Sequence, residues 1–266
     1  MLYLGYVIRK GFELMKKAMI PILATVASVS LAEANTPFNG FYLGAEGGFT
    51  QKTATNSVLE NSSGGGQPAQ PGFINSSYKN KINGFVYGLM GGYGRNMNGF
   101  YLGGEITVQD DTANKMKTGN LTASDASKWP FSSEYKRGLA FGVGPRFGLV
   151  FANSMLAYGK IGLEFSRDKI LHQSAGGNIS SPPGSAAGSF GASPTFSATK
   201  TKMAIVPGVG LEKAFNNVLA RVEYNYNPGA KIAQTANYNS GGFSNNDNQN
   251  VKYTAHIIKV GLAYQF

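Results

Sequence analysis

Cysteine is absent from the 266-residue chain. That excludes a disulfide framework and thiolate metal sites, while leaving the compartment open. Only two histidines, His172 and His256, and a single tryptophan, Trp129, occur. No serine–histidine–acid set lies at a useful spacing, so nucleophilic catalysis and histidine metal centres have little to build on, and no cofactor is expected. Charged residues make up only 14% of the chain, which is low for a cytosolic enzyme. Beyond the N-terminal region no run of about 18 apolar residues appears, so helical membrane spans are not expected. What the chain does have is 36 glycines, 14 tyrosines and 17 phenylalanines.

The N-terminus carries a targeting pattern. Met15-Lys16-Lys17 precedes an apolar stretch from Ala18 to Leu31, and Ala32-Glu33-Ala34 follows. A basic start, a short apolar core and an A-x-A site describe a secretory signal peptide cleaved after Ala34. Residues 1–14 read as an upstream extension, with Met15 as the start. Removing residues 1–34 takes away Arg9, Lys10, Lys16 and Lys17 of the 24 basic residues, and Glu13 and Glu33 of the 14 acidic ones. The mature chain, 35–266, keeps a basic balance of 20 against 12.

Eight segments of the mature chain show two-residue alternation or glycine–aromatic strand character: 39–50, 81–95, 99–109, 134–151, 155–168, 199–214, 218–227 and 253–266. Short connections at Asn96-Met97-Asn98, Ala152-Asn153-Ser154 and Asn216-Asn217 suit tight turns. They alternate strictly with long ones at 51–80, 110–133, 169–198 and 228–252. This alternation predicts an all-β fold, an eight-stranded antiparallel up-and-down transmembrane barrel with short turns inside and four long loops outside. A soluble lipocalin-type barrel is the alternative, but it would turn its apolar faces inward. Stretches such as Asn61–Pro68 and Ser180–Ser185 are too polar to form a packed core, and no secondary structure is assigned to them.

The last strand states the rule for the others. Ile258, Val260, Leu262, Tyr264 and Phe266 share one face; Lys259, Gly261, Ala263 and Gln265 share the other. In a membrane barrel the first face meets lipid and the second lines the lumen. The same parity turns Glu46, Glu105, Glu164 and Glu223 inward, one glutamate on each odd-numbered strand at intervals of 59 residues. It also turns Arg146, Lys160, Arg221 and Lys259 inward. The second strand is ambiguous, because Phe85, Tyr87, Leu89 and Tyr93 oppose Val86 and Met90. An eight-stranded barrel has little open bore, so inward charges must pair. The expected result is a lumenal ion-pair network among these eight residues, with a gated ion path and a proton relay or active site as alternatives.

Other features carry less. The glycines from Gly84 to Gly94 have no accompanying lysine or helix and read as relief of crowding in a curved strand, not a phosphate loop. Trp129-Pro130 suits an interfacial anchor, or alternatively a recognition aromatic. Lysines from Lys52 to Lys252 gather in the loops and at their edges. They suit outer-membrane lipid, lipopolysaccharide, an anionic glycan or a host-cell receptor. No groove-reading motif accompanies them, so nucleic acid is not an expected partner.

Asn39-Gly40-Phe41-Tyr42-Leu43-Gly44-Ala45-Glu46 and Asn98-Gly99-Phe100-Tyr101-Leu102-Gly103-Gly104-Glu105 are near repeats. With the signal peptide and the terminal Leu262-Ala263-Tyr264-Gln265-Phe266, the mature chain resembles the opacity-type surface antigens, within the group of small barrels that includes OmpX and the OmpA membrane domain. The resemblance covers nearly all of 35–266. It implies an eight-stranded barrel in the outer membrane of a Gram-negative bacterium. It also implies insertion through recognition of Leu262, Tyr264 and Phe266 by the barrel-assembly machinery. The protein is then expected to be non-enzymatic, with surface loops used in adhesion or immune exposure. A narrow channel is the alternative function, and a small barrel enzyme a more remote one.

Overall fold

The computed structural model describes residues 37–64, 67–113, 115–122, 128–152, 154–174, 178–179, 188–189, 196–229, 231–240 and 243–266. The signal-peptide region, including Ala32 and Ala34, lies outside the described residues. The elements in chain order are β1 (Gly40–Gly64), β2 (Gln67–Met97), β3 (Phe100–Asp111), β4 (Lys115–Thr122), β5 (Lys128–Phe151) and β6 (Met155–Ser174). They continue with β7 (Asn178–Ile179), β8 (Gly188–Ser189), β9 (Phe196–Phe215), β10 (Val218–Asn227), β11 (Lys231–Ser240) and β12 (Phe243–Gln265). β3 and β4 lie end to end along β5, and β10 and β11 end to end along β12. The wall therefore has eight antiparallel members, and β1 pairs with β12 to close it.

The short connections sit where expected and show why those residues are there. Met97 pairs with Phe100 across Asn98-Gly99, whose φ angles are 55° and 93°. Two positive φ values are what a two-residue hairpin turn of the primed type needs, and Asn-Gly supplies them at least cost. This turn falls on Asn98-Gly99, slightly later than the Asn96-Met97-Asn98 expected. Ala152 and Asn216 take the positive-φ position in the other two turns.

The lipid belt is legible strand by strand. Leu43 and Phe49 on β1, Ile106 on β3, Met203, Ile205 and Val209 on β9, and Ile258, Val260 and Leu262 on β12 all point outward and are exposed. The apolar run ends outward at Phe49, Phe85, Val108, Leu139, Phe165, Met203 and Ile258. Gln51, Asn83, Asp110, Arg167, Thr201 and His256 follow on the same face. Tyr93, Phe100, Phe151, Phe215 and Tyr264 mark the opposite rim. The segments between, such as 41–49 and 258–266, match the roughly 9–11 residues a tilted strand needs to cross a bilayer.

Outside the belt the structure departs from the expected loops. β1 and β12 stay paired from Tyr42–Gln265 to Gly64–Phe243. β2 and β11 continue alongside them, so much of 51–80 and 228–252 is paired strand. β4, β5, β6 and β9 extend similarly into 110–133 and 169–198. Beyond Gln51, β1 adds about 45 Å of strand. The reason the sequence hid this is physical: outside the membrane both faces of a strand can meet water, so polarity no longer alternates. The register also carries Trp129 far past Leu139, opposite Leu121 on β4, which removes it from an interfacial position.

Candidate functional site: the charged lumen

Three tyrosines and their neighbours floor the lumen at the short-turn end. Phe38, Tyr42, Met90, Tyr101, Leu156, Tyr158, Leu219 and Ala263 form one buried cluster. The tyrosine rings lie flat against the opposing backbone. A Cβ on Gly92 would collide with the Tyr42 ring, one on Gly94 or Gly103 with Tyr101, and one on Gly210 with Tyr158. Glycine in these strands is therefore space for a ring, as the crowding argument for Gly84–Gly94 anticipated. The ambiguity of β2 resolves the same way: Tyr87, Leu89 and Tyr93 face lipid, while Val86 and Met90 are buried inside.

Directly above the floor lies Arg146, fully buried on β5. Its guanidinium sits 3.9 Å from the Tyr158 ring centroid and 5.5 Å from those of Tyr42 and Tyr101. It donates to Glu212 at 2.9 Å and to the Tyr42 hydroxyl at 2.8 Å. Tyr42 in turn donates to Glu105 at 2.9 Å, and Arg221 reaches the same carboxylate at 2.5 Å. Lys160 bridges Glu105 at 3.3 Å and Glu223 at 2.6 Å. Lys259 bridges Glu46 at 2.7 Å and Glu223 at 3.3 Å. Tyr158 donates to Glu223 at 2.8 Å. Seven of the eight residues picked out by strand parity thus meet in one connected network.

Glu164 does not join it. It lies higher in the lumen, paired with Arg137 and accepting from Gln109 at 2.6 Å and Asn227 at 2.7 Å. Around it is an outer cluster: Lys52 pairs with Asp111 at 2.6 Å, and Lys202 with Asp168 at 3.4 Å while sitting 4.4 Å from the Tyr253 ring centroid. Lys52 and Lys202 are therefore not part of a solvated lysine rim. Burial pushes both ammonium groups below their usual range, with Asp111 and Asp168 acting in the opposite direction.

Six of the buried charges lay outside the expected set, Lys52, Asp111, Arg137, Asp168, Lys202 and Glu212, and Glu212 and Arg137 did so for different reasons. Glu212 follows the same parity as the rest, because Ile205, Val209 and Leu211 on β9 face lipid. Arg137 breaks parity. Between it and Ala140 the register against β6 shifts by one residue, and this bulge turns an odd-numbered side chain inward on a strand whose even members line the lumen.

The charges balance. Glu46, Glu105, Asp111, Glu164, Asp168, Glu212 and Glu223 face Lys52, Arg137, Arg146, Lys160, Lys202, Arg221 and Lys259, all buried except the slightly open Lys160. The lumen is neutral, with seven charges of each sign where the expected network had four of each. A cavity of about 30 Å³ remains beside Glu105, Gln109, Lys160, Glu164, Asn225 and Lys259, room for about two water molecules. Among the described residues no cluster of three metal-ligating side chains occurs. His172 pairs in the β6–β9 ladder opposite Phe196, whereas His256 lies at the outer belt edge, 2.7 Å from the Tyr224 hydroxyl.

A closed eight-member wall, an outward apolar belt and a charged, packed lumen describe a small outer-membrane barrel. The sequence model for the outer membrane protein beta-barrel domain matches residues 20–266. The chain belongs to that family. It resides accordingly in the outer membrane of a Gram-negative bacterium, within the superfamily of small barrels that its sequence resembles. No curated protein matches the chain. Solved structures with similar folds include the outer membrane protease OmpT of Escherichia coli, at 11% identity and a TM-score of 0.47, covering 89% of this chain and 100% of that one. Neisserial surface protein A is similar at 12% identity and a TM-score of 0.35, covering 81% and 97%. Ail, the attachment invasion locus protein of Yersinia pestis, is similar at 14% identity and a TM-score of 0.32, covering 82% and 99%.

Proposed function

We propose that this barrel is a non-enzymatic surface protein of the opacity type, whose extracellular part contacts host cells or the surrounding matrix. The observation that carries this reading is the outward continuation of β11, β12, β1 and β2 as one paired sheet, from the belt to Ser240, Phe243, Gly64 and Gln67. A strand pairing of this length stands well clear of the outer leaflet, and its sequence is rich in Asn, Ser, Gln and Thr. Lipid and lipopolysaccharide surround the belt, and an anionic glycan or a host receptor is the partner that the basic mature chain suits. Insertion through the barrel-assembly machinery uses the outward Leu262, Tyr264 and Phe266.

Shortening each outer hairpin in turn, beginning with replacement of 55–79 by a tight turn, tests the reading. Binding of whole bacteria to host cells or extracellular matrix should fall for at least one variant that still shows heat-modifiable mobility. Unchanged binding in every folded variant contradicts an adhesive role.

A further inference from the structure

The bulge in β5 has a second effect, on the outside of the wall. Arg137 pairs with Asp168 and Ala140 with Ser166, so β5 advances three residues while β6 advances two. Gly138 lies in that stretch, where a Cβ would come within 2.6 Å of the Arg167 carbonyl oxygen, so the bulge needs glycine there. The same irregularity that turns Arg137 inward turns Lys136 outward, directly opposite Lys169 on β6. Arg167 shares that face of β6, two residues nearer the belt. All three side chains are exposed.

Like charges directly opposite one another destabilise a ladder, and here nothing nearby offsets them. In the lumen the charges are matched, seven of each sign. Among the described residues, none of Lys136, Arg167 and Lys169 forms an ion pair. The same-face acids nearest in register are Glu134, two residues farther out on β5, and Asp110 near the end of β3, which accepts from the Asp111 backbone N–H at 2.8 Å. Thr201 and Thr199 on β9, opposite Arg167 and Lys169, add hydroxyl groups and no charge.

Depth selects the partner. The outward apolar face ends at Phe165 on β6 and at Met203 on β9, which pair with each other. Arg167 and Lys169 follow Phe165 by about 7 and 13 Å along the strand. In a strand tilted by about 40° these are heights of about 5 and 10 Å above the hydrocarbon, the layer of lipid headgroups. We propose that Lys136, Arg167 and Lys169 form a binding site for a phosphate on the headgroup of an outer-leaflet lipid. The guanidinium fork takes two phosphate oxygens and the ammonium groups take the others, while the acyl chains lie over Leu139, Phe165 and Met203. A phosphomonoester carries about −1.5 to −2 charge at pH 7 and so offsets most of the repulsion. The site builds on the lipopolysaccharide surround proposed above and gives it a fixed point on the wall.

Native mass spectrometry of the refolded protein, in detergent with a phosphatidylcholine background, reads the site. The probe is lipid A, added with its two phosphates or after their removal. The phosphorylated probe should be retained about tenfold more than the stripped one, and Arg167→Gln with Lys169→Gln should abolish that advantage. Lys79→Gln with Lys81→Gln removes two exposed cations at the same spacing from β2, where they lie opposite Thr55 and Thr53, and should change retention by less than about twofold. Lys136→Glu separates binding from folding. It turns the like-charged pair into an opposite one, so the urea midpoint without lipid should hold or rise while retention falls about tenfold. Equal retention of the stripped probe overturns the proposal, as does a Lys136→Glu variant that keeps the lipid or loses it only together with stability. An equal loss in the β2 pair overturns the site while leaving the diffuse attraction of a basic rim intact. Displacement of lipid A by an equimolar soluble sulfated oligosaccharide overturns it in favour of a glycan site.

Discussion

The lower and outer halves of the lumen use the same residue types with different redundancy. In the lower half Glu105 meets Arg146, Lys160 and Arg221, and Glu223 meets Lys160, Arg221 and Lys259. Glu105, Glu212 and Glu223 are each held by more than one cation, and Glu46 by Lys259, above a floor of tyrosine rings seated on glycines. In the outer half the contacts are closer to one-to-one, Lys52 with Asp111 and Lys202 with Asp168, and two wall members stop pairing as one strand after Asp111 and Asn227. The difference teaches where the barrel spends its specificity. A buried charge with several partners fixes strand order and seals the bore, while the outer half only has to bridge to a sheet that stands in water.

The comparison breaks most sharply at Arg146. Arg146→Met leaves Glu212 without its closest cation and removes the guanidinium from three aromatic faces. We expect a loss of about 3–5 kcal/mol in urea unfolding followed by gel mobility, the range for stripping one partner from a buried pair. Adding Glu212→Gln should recover part of that loss, because it removes the stranded charge.

In the outer half the effects should be smaller. Gly229→Ala places a side chain at a positive φ, where its Cβ would collide with the Tyr253 carbonyl. It should cost about 1–3 kcal/mol and loosen β11 before the belt strands, read as earlier proteolysis of the sheet beyond the belt. Glu164→Gln keeps the amide contacts with Gln109 and Asn227 in part, and Arg137 retains Asp111 at 3.8 Å. A cost of about 1–2 kcal/mol in the same urea assay is expected.

The smallest effect is a pH slope. Burial holds the Lys52 pKa below 10.5 in the folded protein. The folded state then binds fewer protons than the unfolded one between the lowered value and 10.5. Lys52 therefore contributes a rise in stability with pH in that window and none below it. Lys52→Met should remove this contribution, seen as a flatter alkaline limb in the unfolding midpoint.

How much of this the sequence disclosed follows from where each residue sits. Inside the belt, lipid on one face and a packed lumen on the other force strict alternation. Glu46, Glu105, Arg146, Lys160, Arg221, Glu223 and Lys259 could therefore be placed by counting in twos. Glu212 was open to the same count on β9. Arg137 was not, because a one-residue bulge leaves no compositional trace in the chain. Glu164 had the right face but the wrong neighbours, since the regular spacing of the glutamates says nothing about their heights in a tilted barrel. Val86 and Met90 obscured β2 because a lumen this narrow holds apolar as well as polar side chains. The outer strands were invisible for want of any lipid to impose a pattern.

Planar-bilayer recording of the refolded protein tests the central claim, that this barrel is a sealed stem for the sheet that continues beyond the lipid belt. With a neutral, cross-bridged lumen over a tyrosine floor, the unsubstituted protein should insert without conductance steps, while Arg146→Ala should flicker open. Stable steps of uniform size from the unsubstituted protein would contradict the account.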